Sequence, residues 1–547
     1  MIFKNKLLII ALLVGAALRL WSLGANPPHL FSDEAALGYN AYSILNTGRD
    51  EHGDLLPIIF KSFGDWKPGL YVYLTVPFVS AFGLTEWSVR LPSALAGITA
   101  IYLVYLITRE LFQEKMANVV SFVLAITPWH IHFSRGAWEA NVALTILLGG
   151  IYFFLNFVSG SKNSLLISSV LFALTLWAYQ GAKLSTLIVL LLLCGIYRKT
   201  LLKYKKNTLS AALCGFLIAI PVFLSLINGK AGRLEVFSVF SYRRPQEYIE
   251  NILTQASEKK NSLQYFLYHS EQQSLGRGVL GRWLNHYSGK FLFFDGDENL
   301  RHHSTDIGML LLVQAPFLAI GFLYLLRQKN IKAILLTIGW LILAPLPAAL
   351  SRDSSHAIRS FHLVIPLVVI CSAGTLYLIE EVRNRKKNLR NFIYALCTMF
   401  FVINFIYYLD QYYIHYPKRE SKAWTYGYKQ AVGKLQSQGE KSIVFQQSYN
   451  QPYIFFLFYT KYDPRKFQQI AKKSFVKEGI DVGKQTMLEN ITFKDATLGD
   501  LNNKNKIIVY DPETPPFPAI ITSNDNLEKT EIKRLDNSTA FIILKHK

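Results

Sequence analysis

WSVRLPSALAGITAIYLVYLIT, residues 87–108, is an almost unbroken apolar run of the length that an α-helix needs to cross the hydrocarbon core of a bilayer. Similar runs recur along the chain, at residues 7–23, 116–131, 139–157, 164–179, 184–197, 208–228, 306–326, 332–350, 359–380 and 391–409. A helix is suited to this environment because it satisfies its own backbone hydrogen bonds in lipid. The sequence therefore predicts an α-helical polytopic membrane protein with about eleven transmembrane helices.

Composition and charge agree with this class of protein. Of 547 residues, 51% are hydrophobic and 17% are charged, whereas globular proteins average roughly 25% charged residues. The net charge of +21 comes mainly from lysines and arginines in the connections that would be cytoplasmic if the N-terminus is cytoplasmic. We therefore interpret the charge as a topology signal of a multi-pass protein in the cell (plasma) membrane, and we expect no nucleic-acid partner.

With the N-terminus inside, three segments lie on the outer side: the loops 24–86 and 229–305, and the chain from 411 to 547. We expect residues 1–410 to form the transmembrane domain and residues 411–547 to form a small extracytoplasmic α/β domain. The second assignment rests on helical periodicity over 421–438 followed by short β-branched runs. All four cysteines lie in apolar runs, so no disulfide framework is expected outside the membrane.

The first outer loop contains the sharpest cluster of ionisable residues. Asp33 and Glu34 follow the first apolar run, and the segments DWKPG (65–69) and EWSVRLPS (86–93) flank a short apolar stretch at 72–83 that suits the membrane interface. Ionisable residues at the mouth of a membrane helix are candidates for function. The acidic pair is equally compatible with a purely structural role, because carboxylates stabilise the N-terminus of a helix.

This order of segments resembles the GT-C glycosyltransferases that use polyprenyl-phosphate sugars. The similarity is to family 39 or its neighbours, the bacterial relatives of protein O-mannosyltransferases and of the lipid A aminoarabinose transferase. It covers roughly residues 1–410 and is specific mainly in the first loop. The resemblance implies that Asp33 is the catalytic carboxylate, with Glu34 completing an Asp-Glu pair. The family's acid-Lys-Pro-Pro segment, whose lysine contacts the donor phosphate, corresponds to Asp65, Lys67 and Pro68, with the acid displaced by one residue and Gly69 in place of the second proline.

Arg135 is a further candidate for binding the donor phosphate or sugar. It follows His130 and His132, whose spacing also occurs in metal sites, and it precedes Glu139. Family members commonly have a Ser-Arg here followed by an acid. A structural pair between Arg135 and Glu139 is an equally good interpretation.

Two later outer segments supply the other donor-binding candidates. Arg301 and His302 end the segment FFDGDENLRHH (293–303), which is similar to segments in bacterial relatives of the family and is also compatible with a capped turn. His356 and Arg359 match the family's His-x-x-Arg pattern near the lipid phosphate. Arg359 would begin a membrane helix, where a cation requires an anionic partner.

These residues predict a glycosyltransferase that moves a monosaccharide from a polyprenyl-phosphate donor to an extracytoplasmic hydroxyl with inversion. Such a reaction needs a carboxylate to take the acceptor's proton and cations to stabilise the leaving phosphate. The acceptor is a lipid, a glycan or a protein. A divalent cation is compatible with Asp33, Glu34 and Asp65, but related enzymes differ in using one, so the metal stays open.

The alternative class is a membrane transporter or a membrane-anchored envelope assembly or sensor protein. Transporters usually carry ionisable groups near the bilayer midplane and show internal repeats. Here the polar clusters lie at one predicted face of the membrane. An anchor, in turn, needs fewer membrane helices than this chain predicts. Both observations favour the transferase.

Overall fold

The computed structural model describes residues 5–228, 238–241, 243–439, 441–447, 450–478, 483–513 and 526–547. Residues 229–237 and 242 of the predicted second outer loop lie outside the described residues. So do four short stretches of the predicted C-terminal domain.

Before residue 411, the strands among the described residues belong to one hairpin, and the other regular elements are helices. Its helices are α1 (Lys6–Leu20), α2 (Ser32–Thr47), α3 (Leu70–Phe82), α4 (Glu86–Leu111), α5 (Glu114–Ile126), α6 (Pro128–Arg135), α7 (Glu139–Val158), α8 (Ser164–Ala178), α9 (Ala182–Ile196), α10 (Arg198–Lys203), α11 (Lys205–Ile227), α12 (Gln246–Ala256), α13 (Glu271–Asn285), α14 (Ala315–Leu326), α15 (Ile331–Leu343), α16 (Leu346–Ala349), α17 (Val364–Arg383) and α18 (Lys387–Asp410). Shorter 3-10 or π-helical turns lie at Val239–Ser241, Tyr265–His269, Lys290–Phe294, Leu312–Gln314 and Phe361–Leu363. The hairpin between α2 and α3 pairs β1 (Ile59–Ser62) with β2 (Asp65–Pro68) in antiparallel register.

Every predicted apolar run contains a helix. Among the described residues, six helices are long and apolar enough to cross a membrane, and a bent pair gives a seventh. Further apolar helices of 10–17 residues include α3, α8 and α9. The protein is thus an α-helical, multi-pass membrane protein, while the count of about eleven spans stays a prediction.

Prolines and turns interrupt several runs that the sequence predicted to be single helices. The run 116–131 is divided between α5 and α6, which are bent by 57° at a break before Pro128. The run 332–350 is interrupted by a turn at Pro345. Proline has no backbone N–H to donate, so a helix commonly begins again at it. The run 359–380 becomes α-helical only at Val364, so the prediction that Arg359 begins the helix is wrong; it lies in the preceding turn.

The C-terminal part is an α/β unit. Its strands are β3 (Ser442–Phe445), β4 (Phe475–Lys477), β5 (Gly483–Gln485), β6 (Met487–Leu488), β7 (Ile491–Phe493), β8 (Lys506–Tyr510), β9 (Leu527–Lys533) and β10 (Thr539–His546), and its helices are α19 (Tyr416–Arg419), α20 (Tyr428–Gln436), α21 (Pro452–Tyr459), α22 (Pro464–Ile470) and α23 (Leu498–Leu501). A π-helical turn at Gln411–His415 joins α18 to it. The predicted helix over 421–438 is shorter than expected because the residues before Tyr428 form turns.

Six strands form one sheet in the order β6-β7-β3-β8-β10-β9, in which β7 and β8 run parallel to β3 and the remaining pairs are antiparallel. Helices α20 and α21 cover this sheet with aromatic side chains. The rings of Tyr428 and Phe455 are stacked with centroids 4.3 Å apart. The aromatic run of α21 is therefore a core element, since the side chains from Tyr453 to Phe458 are all buried.

The outer loop 24–86 joins this unit to the membrane helices. Helix α2 packs against α21, and the Tyr39 hydroxyl donates to the carbonyl of Tyr462 at 3.1 Å. Gln468 on α22 donates to the Ser43 and Thr47 hydroxyls of α2. The middle and the last turn of α2 are consequently held against the sheet unit.

Two membrane helices, α14 and α17, approach so closely that both require glycine at their crossing. A Cβ at Gly374 would overlap the carbonyl oxygen of Phe317, and a Cβ at Gly321 would overlap that of Ile370. Small residues allow backbones to pack directly in membranes, where van der Waals contact stabilises helix association.

We predict that Gly374→Ala lowers stability by about 1–3 kcal/mol, because the added methyl forces the two backbones apart. The matched control is Gly195→Ala in α9, where no described atom lies within 4 Å of the added methyl. Thermal unfolding in lipid nanodiscs, followed by tryptophan fluorescence, measures both variants. Equal melting temperatures would show that the crossing tolerates the methyl.

Candidate active site

Glu34 and Arg90 form a buried ion pair between the first outer loop and α4. The Arg90 Nε and Nη2 atoms donate to the two carboxylate oxygens of Glu34, each at 3.0 Å. The same carboxylate accepts the backbone N–H groups of Phe31 at 3.1 Å and Ala137 at 2.7 Å. Four donors thus surround Glu34, which leaves it little capacity to accept a proton from a substrate.

Arg90 also fixes the loop that precedes α2. Its Nη1 donates to the carbonyls of Leu23 at 3.1 Å and Pro27 at 2.8 Å, and its Nη2 donates to that of His29 at 2.6 Å. The guanidinium is fully buried. An arginine that makes this many hydrogen bonds fixes both the orientation of the bound chain segment and its distance from the helix that carries the arginine. The sequence analysis contained Arg90 but assigned it no role.

Asp33, one residue earlier, has a different environment. Its Oδ1 lies 2.5 Å from the Nζ atom of Lys67, and its side chain is 44% exposed, whereas that of Lys67 is 10% exposed. Lys67 lies on β2, opposite Phe60 of β1, so the hairpin determines where the ammonium group lies relative to Asp33. The structure thus brings together the two residues that the sequence singled out most sharply.

Asp65 lies on the same strand as Lys67. It pairs with Ser62 at the turn end of the hairpin and is buried. Gln180, at the outer start of α9, donates to the carbonyl of Trp66 at 2.8 Å and thereby attaches the hairpin to the membrane helices. Asp65 is therefore part of the hairpin that carries Lys67, and its side chain is buried.

Arg301 approaches Asp33 from the second outer loop. Its guanidinium carbon lies 3.5 Å from the ring centroid of Phe31, the residue before α2. Burial lowers the pKa of the Arg301 guanidinium, and the nearby charges of Asp33 and Glu34 oppose that shift. Lys67 thus contacts Asp33 directly, and Arg301, from a separate segment of the chain, lies near enough for the charge of Asp33 to act on it.

His302, His356 and Arg359 lie in a second group of ionisable residues. The Nδ1 atom of His302 is 2.7 Å from Asp297 Oδ2, and the rings of His302 and His356 have centroids 5.0 Å apart. Arg359 Nη1 donates to Asp353 Oδ2 at 2.5 Å. Because Arg301 and His302 are adjacent in sequence, this second group is covalently linked to the first.

Arg135 has a structural environment. Its two Nη atoms donate to the carbonyls of Leu18 at 2.8 Å and Asn26 at 2.9 Å, and its guanidinium lies over the rings of Tyr412 and Tyr413. It is fully buried. His132 lies on helix α6, and its Nε2 atom is 2.6 Å from the carbonyl oxygen of Arg301.

Glu51, which the sequence gave no reason to select, is buried behind Lys67. Burial and the neighbouring Asp50 raise the pKa of the Glu51 carboxyl to about 8, and Lys67 and Lys61 oppose this shift. Its Oε1 accepts from Asn40 at 3.3 Å, and among the described residues its Oε2 has no hydrogen-bond partner. At neutral pH this carboxyl is therefore protonated, so it leaves the charge of Lys67 available to Asp33.

With the geometry established, the chain can be compared with known proteins. Residues 67–224 match the family model of dolichyl-phosphate-mannose-protein mannosyltransferases. Two Bacillus subtilis (strain 168) proteins are similar over short segments. The putative mannosyltransferase YycA is 27% identical over 131 residues, which are 23% of this chain and 18% of that protein. The putative mannosyltransferase YkcB is 43% identical over 54 residues, which are 10% of this chain and 8% of that protein. The chain thus aligns with less than a fifth of the length of these curated relatives.

The whole fold has a solved counterpart. ArnT from Cupriavidus metallidurans, in a crystal structure with bound undecaprenyl phosphate, superposes with a TM-score of 0.55 at 13% identity, over 98% of this chain and 97% of that one. The expected resemblance is confirmed: the chain has the GT-C fold, with a C-terminal sheet unit, and it is similar to mannosyltransferases of this class over the segment that contains Lys67, Arg90 and Arg135.

The environment of Glu51 predicts a pH-dependent stability. A carboxyl whose folded-state pKa lies above its unfolded value of about 4.5 binds a proton more tightly when folded. Its contribution to the free energy of unfolding is therefore full below about pH 4.5 and falls as the pH rises to about 8, by at most about 1.4 kcal/mol per pH unit. Glu51→Gln removes this loss, so its melting temperature relative to wild type should be higher at pH 8.5 than at pH 5.5.

Glu528→Gln, which changes an exposed carboxylate on β9, is the control for a general charge effect. Its melting temperature relative to wild type should not change between the two pH values. The same pH response in both variants would contradict the assignment of the effect to Glu51.

Proposed function

We propose that this protein is a glycosyltransferase that moves a monosaccharide from a polyprenyl-phosphate donor to a hydroxyl of a lipid, glycan or protein acceptor, with inversion at the anomeric carbon. The observation that carries the proposal is the half-exposed carboxylate of Asp33 with Lys67 and Arg301 beside it. The fold shared with ArnT, whose crystal structure contains undecaprenyl phosphate, supports a lipid phosphate as donor.

In this proposal Asp33 is the general base. The acceptor oxygen attacks the anomeric carbon, the bond from that carbon to the phosphate oxygen breaks with its electron pair, and the acceptor's proton moves to the Asp33 carboxylate. Lys67 and Arg301 stabilise the negative charge on the departing phosphate through charge-assisted hydrogen bonds. When Lys67 binds the donor phosphate, the ion pair between Lys67 and Asp33 weakens, and the Asp33 carboxylate becomes a better proton acceptor.

The remaining candidates take supporting roles in this proposal. Glu34 fixes the start of α2, and Arg135 fixes the chain before it, through the buried contacts described above. His302, His356 and Arg359 form the neighbouring group of ionisable residues. Through this group they position the loop that carries Arg301. Asp65 supports the hairpin that presents Lys67.

We also propose the membrane orientation that the charges predict. The N-terminus lies in the cytoplasm, residues 1–410 form the catalytic membrane domain, and residues 411–547 form an extracytoplasmic domain. The packing of α2 against α21 supports a site that opens on the same side as the sheet unit. An acceptor on that side then reaches Asp33 without crossing the membrane.

Asp33→Asn should lower sugar transfer about 10²–10⁴-fold, because the amide cannot accept the proton. Purified protein in lipid is incubated with a panel of undecaprenyl-phosphate monosaccharides carrying radiolabelled sugars, and sugar release or transfer is counted. Asp295→Asn, at an exposed carboxylate of the second outer loop, is the control and should retain wild-type turnover. Equal turnover in Asp33→Asn would remove Asp33 as base, and inactivity of the wild type with every donor would favour an anchor or a transporter.

Lys67→Gln should weaken binding of undecaprenyl phosphate about 10–100-fold, because it removes one charge-assisted hydrogen bond worth about 1.5–3 kcal/mol. Lys61→Gln is the matched control, since Lys61 lies on the other strand of the same hairpin and its Nζ lies over the ring of Phe475. Competition with a fluorescent lipid phosphate in nanodiscs measures the affinities. An unchanged affinity in Lys67→Gln would place the phosphate elsewhere.

A further inference from the structure

Asp297, His302 and His356 form a compact cluster that the proposed transfer reaction does not use directly. One carboxylate oxygen and one ring nitrogen from each histidine lie within 4.8 Å of one another. Asp297 and His302 are almost completely buried, and His356 is partly exposed. The residues come from two loops that are distant in sequence, so the fold, and not local chain geometry, brings them together.

The hydrogen bonds around Asp297 leave a coordination position on the oxygen that faces the histidines. Its Oδ1 accepts the N–H of Asn299 at 3.0 Å, and its Oδ2 accepts the N–H of Ala357 at 2.7 Å. A carboxylate oxygen has two lone pairs, so the second lone pair of Oδ2 remains for the group at the centre of the cluster. In the structure described here, the Nδ1 atom of His302 faces it at 2.7 Å.

The backbone contacts orient the cluster from outside. The Nε2 atom of His286 accepts the backbone N–H of His356 at 3.1 Å, and Asp353 Oδ2 lies 3.9 Å from the Nε2 atom of His356. A second carboxylate therefore stands at the exposed edge. The contact with His286 fixes the backbone at His356 and so limits where the His356 ring can lie before an ion arrives.

We propose that Asp297, His302 and His356 bind a transition-metal ion of the Zn²⁺ type. Two imidazoles and one carboxylate suit Zn²⁺, Co²⁺, Mn²⁺ or Fe²⁺, whereas Mg²⁺ and Ca²⁺ prefer oxygen ligands only. The ion takes the place of the Nδ1 proton between His302 and Asp297, and the neutral imidazole of His302 keeps its single proton on Nε2. Three protein ligands leave a fourth position for water or for an oxygen of a bound anion.

The consequence of such an ion is mechanical as well as electrostatic. It ties the loop that carries Arg301 to the loop that carries Arg359, because His302 follows the first arginine and His356 precedes the second by three residues. The ion also adds positive charge on the side from which Arg301 approaches Asp33. The metal site stands on the cluster's own geometry and does not depend on the transferase activity.

Metal content and metal binding test the inference on the full chain in lipid nanodiscs. After removal of metal with EDTA and dialysis, the protein is incubated with Zn²⁺, Co²⁺ or Mg²⁺ and analysed by inductively coupled plasma mass spectrometry. We expect about one Zn²⁺ or Co²⁺ per chain, no retained Mg²⁺, and a Co²⁺ absorption band typical of nitrogen and oxygen ligands.

The variants His302→Gln and His356→Gln should each weaken Zn²⁺ binding at least about tenfold. His303→Gln is the matched control, since His303 is equally buried beside the cluster but directs its Nδ1 atom to the carbonyl of Ser304 at 2.9 Å. Wild-type protein that retains less than about one fifth of an ion per chain would overturn the proposal. So would equal binding by His303→Gln, His302→Gln and His356→Gln.

Sugar release from the donor panel is measured on the same samples. Loss of metal binding with intact transfer, or the reverse, separates failure of the metal site from failure of the proposed function.

Discussion

The buried ion pair between Glu34 and Arg90 is the constraint on which the candidate active site of this protein depends. A buried arginine is stable only when its donors are satisfied, and here one carboxylate and three backbone carbonyls do so. Because those carbonyls belong to the chain from Leu23 to His29, the pair determines where α2 begins. Asp33 is one residue from Glu34, so its position relative to the membrane helices follows directly from this contact.

The same constraint reaches the C-terminal unit. His29, whose carbonyl binds Arg90, has its ring against Phe455 and Tyr459 of α21. Burial, together with the cations nearby, lowers the pKa of His29 to about 4, so at neutral pH the ring is uncharged and packs as an aromatic group. The loop from Leu23 to Phe31 thus contacts both α4 and the sheet unit. A substitution at Arg90 would therefore disturb the packing of both.

The sequence predicted features correctly where a residue pattern is compatible with few physical explanations. Long apolar runs predicted the membrane helices, and an acidic pair followed by an acid-x-Lys-Pro segment singled out Asp33 and Lys67, which the structure brings into contact. Interruptions such as the 57° bend before Pro128 were missed, because hydropathy averages over a proline. The partner of Arg90 and the burial of Glu51 were also missed, since both depend on packing between segments that are distant in sequence. For Glu34 the opposite happened: the pattern marked it as chemical, whereas its four donors give it a structural environment.

Lys67 is paired with Asp33 and also acts electrostatically on a second carboxyl, Glu51, and the environments of the two carboxyls differ. Asp33 is half exposed and in direct contact with the ammonium group. Glu51 is fully buried, and burial favours its protonated form up to about pH 8. If both were charged, Lys67 would be shared between two anions and would have less attraction left for a phosphate. Burial of Glu51 therefore leaves the charge of Lys67 to Asp33, and in the proposed reaction to the phosphate of the donor.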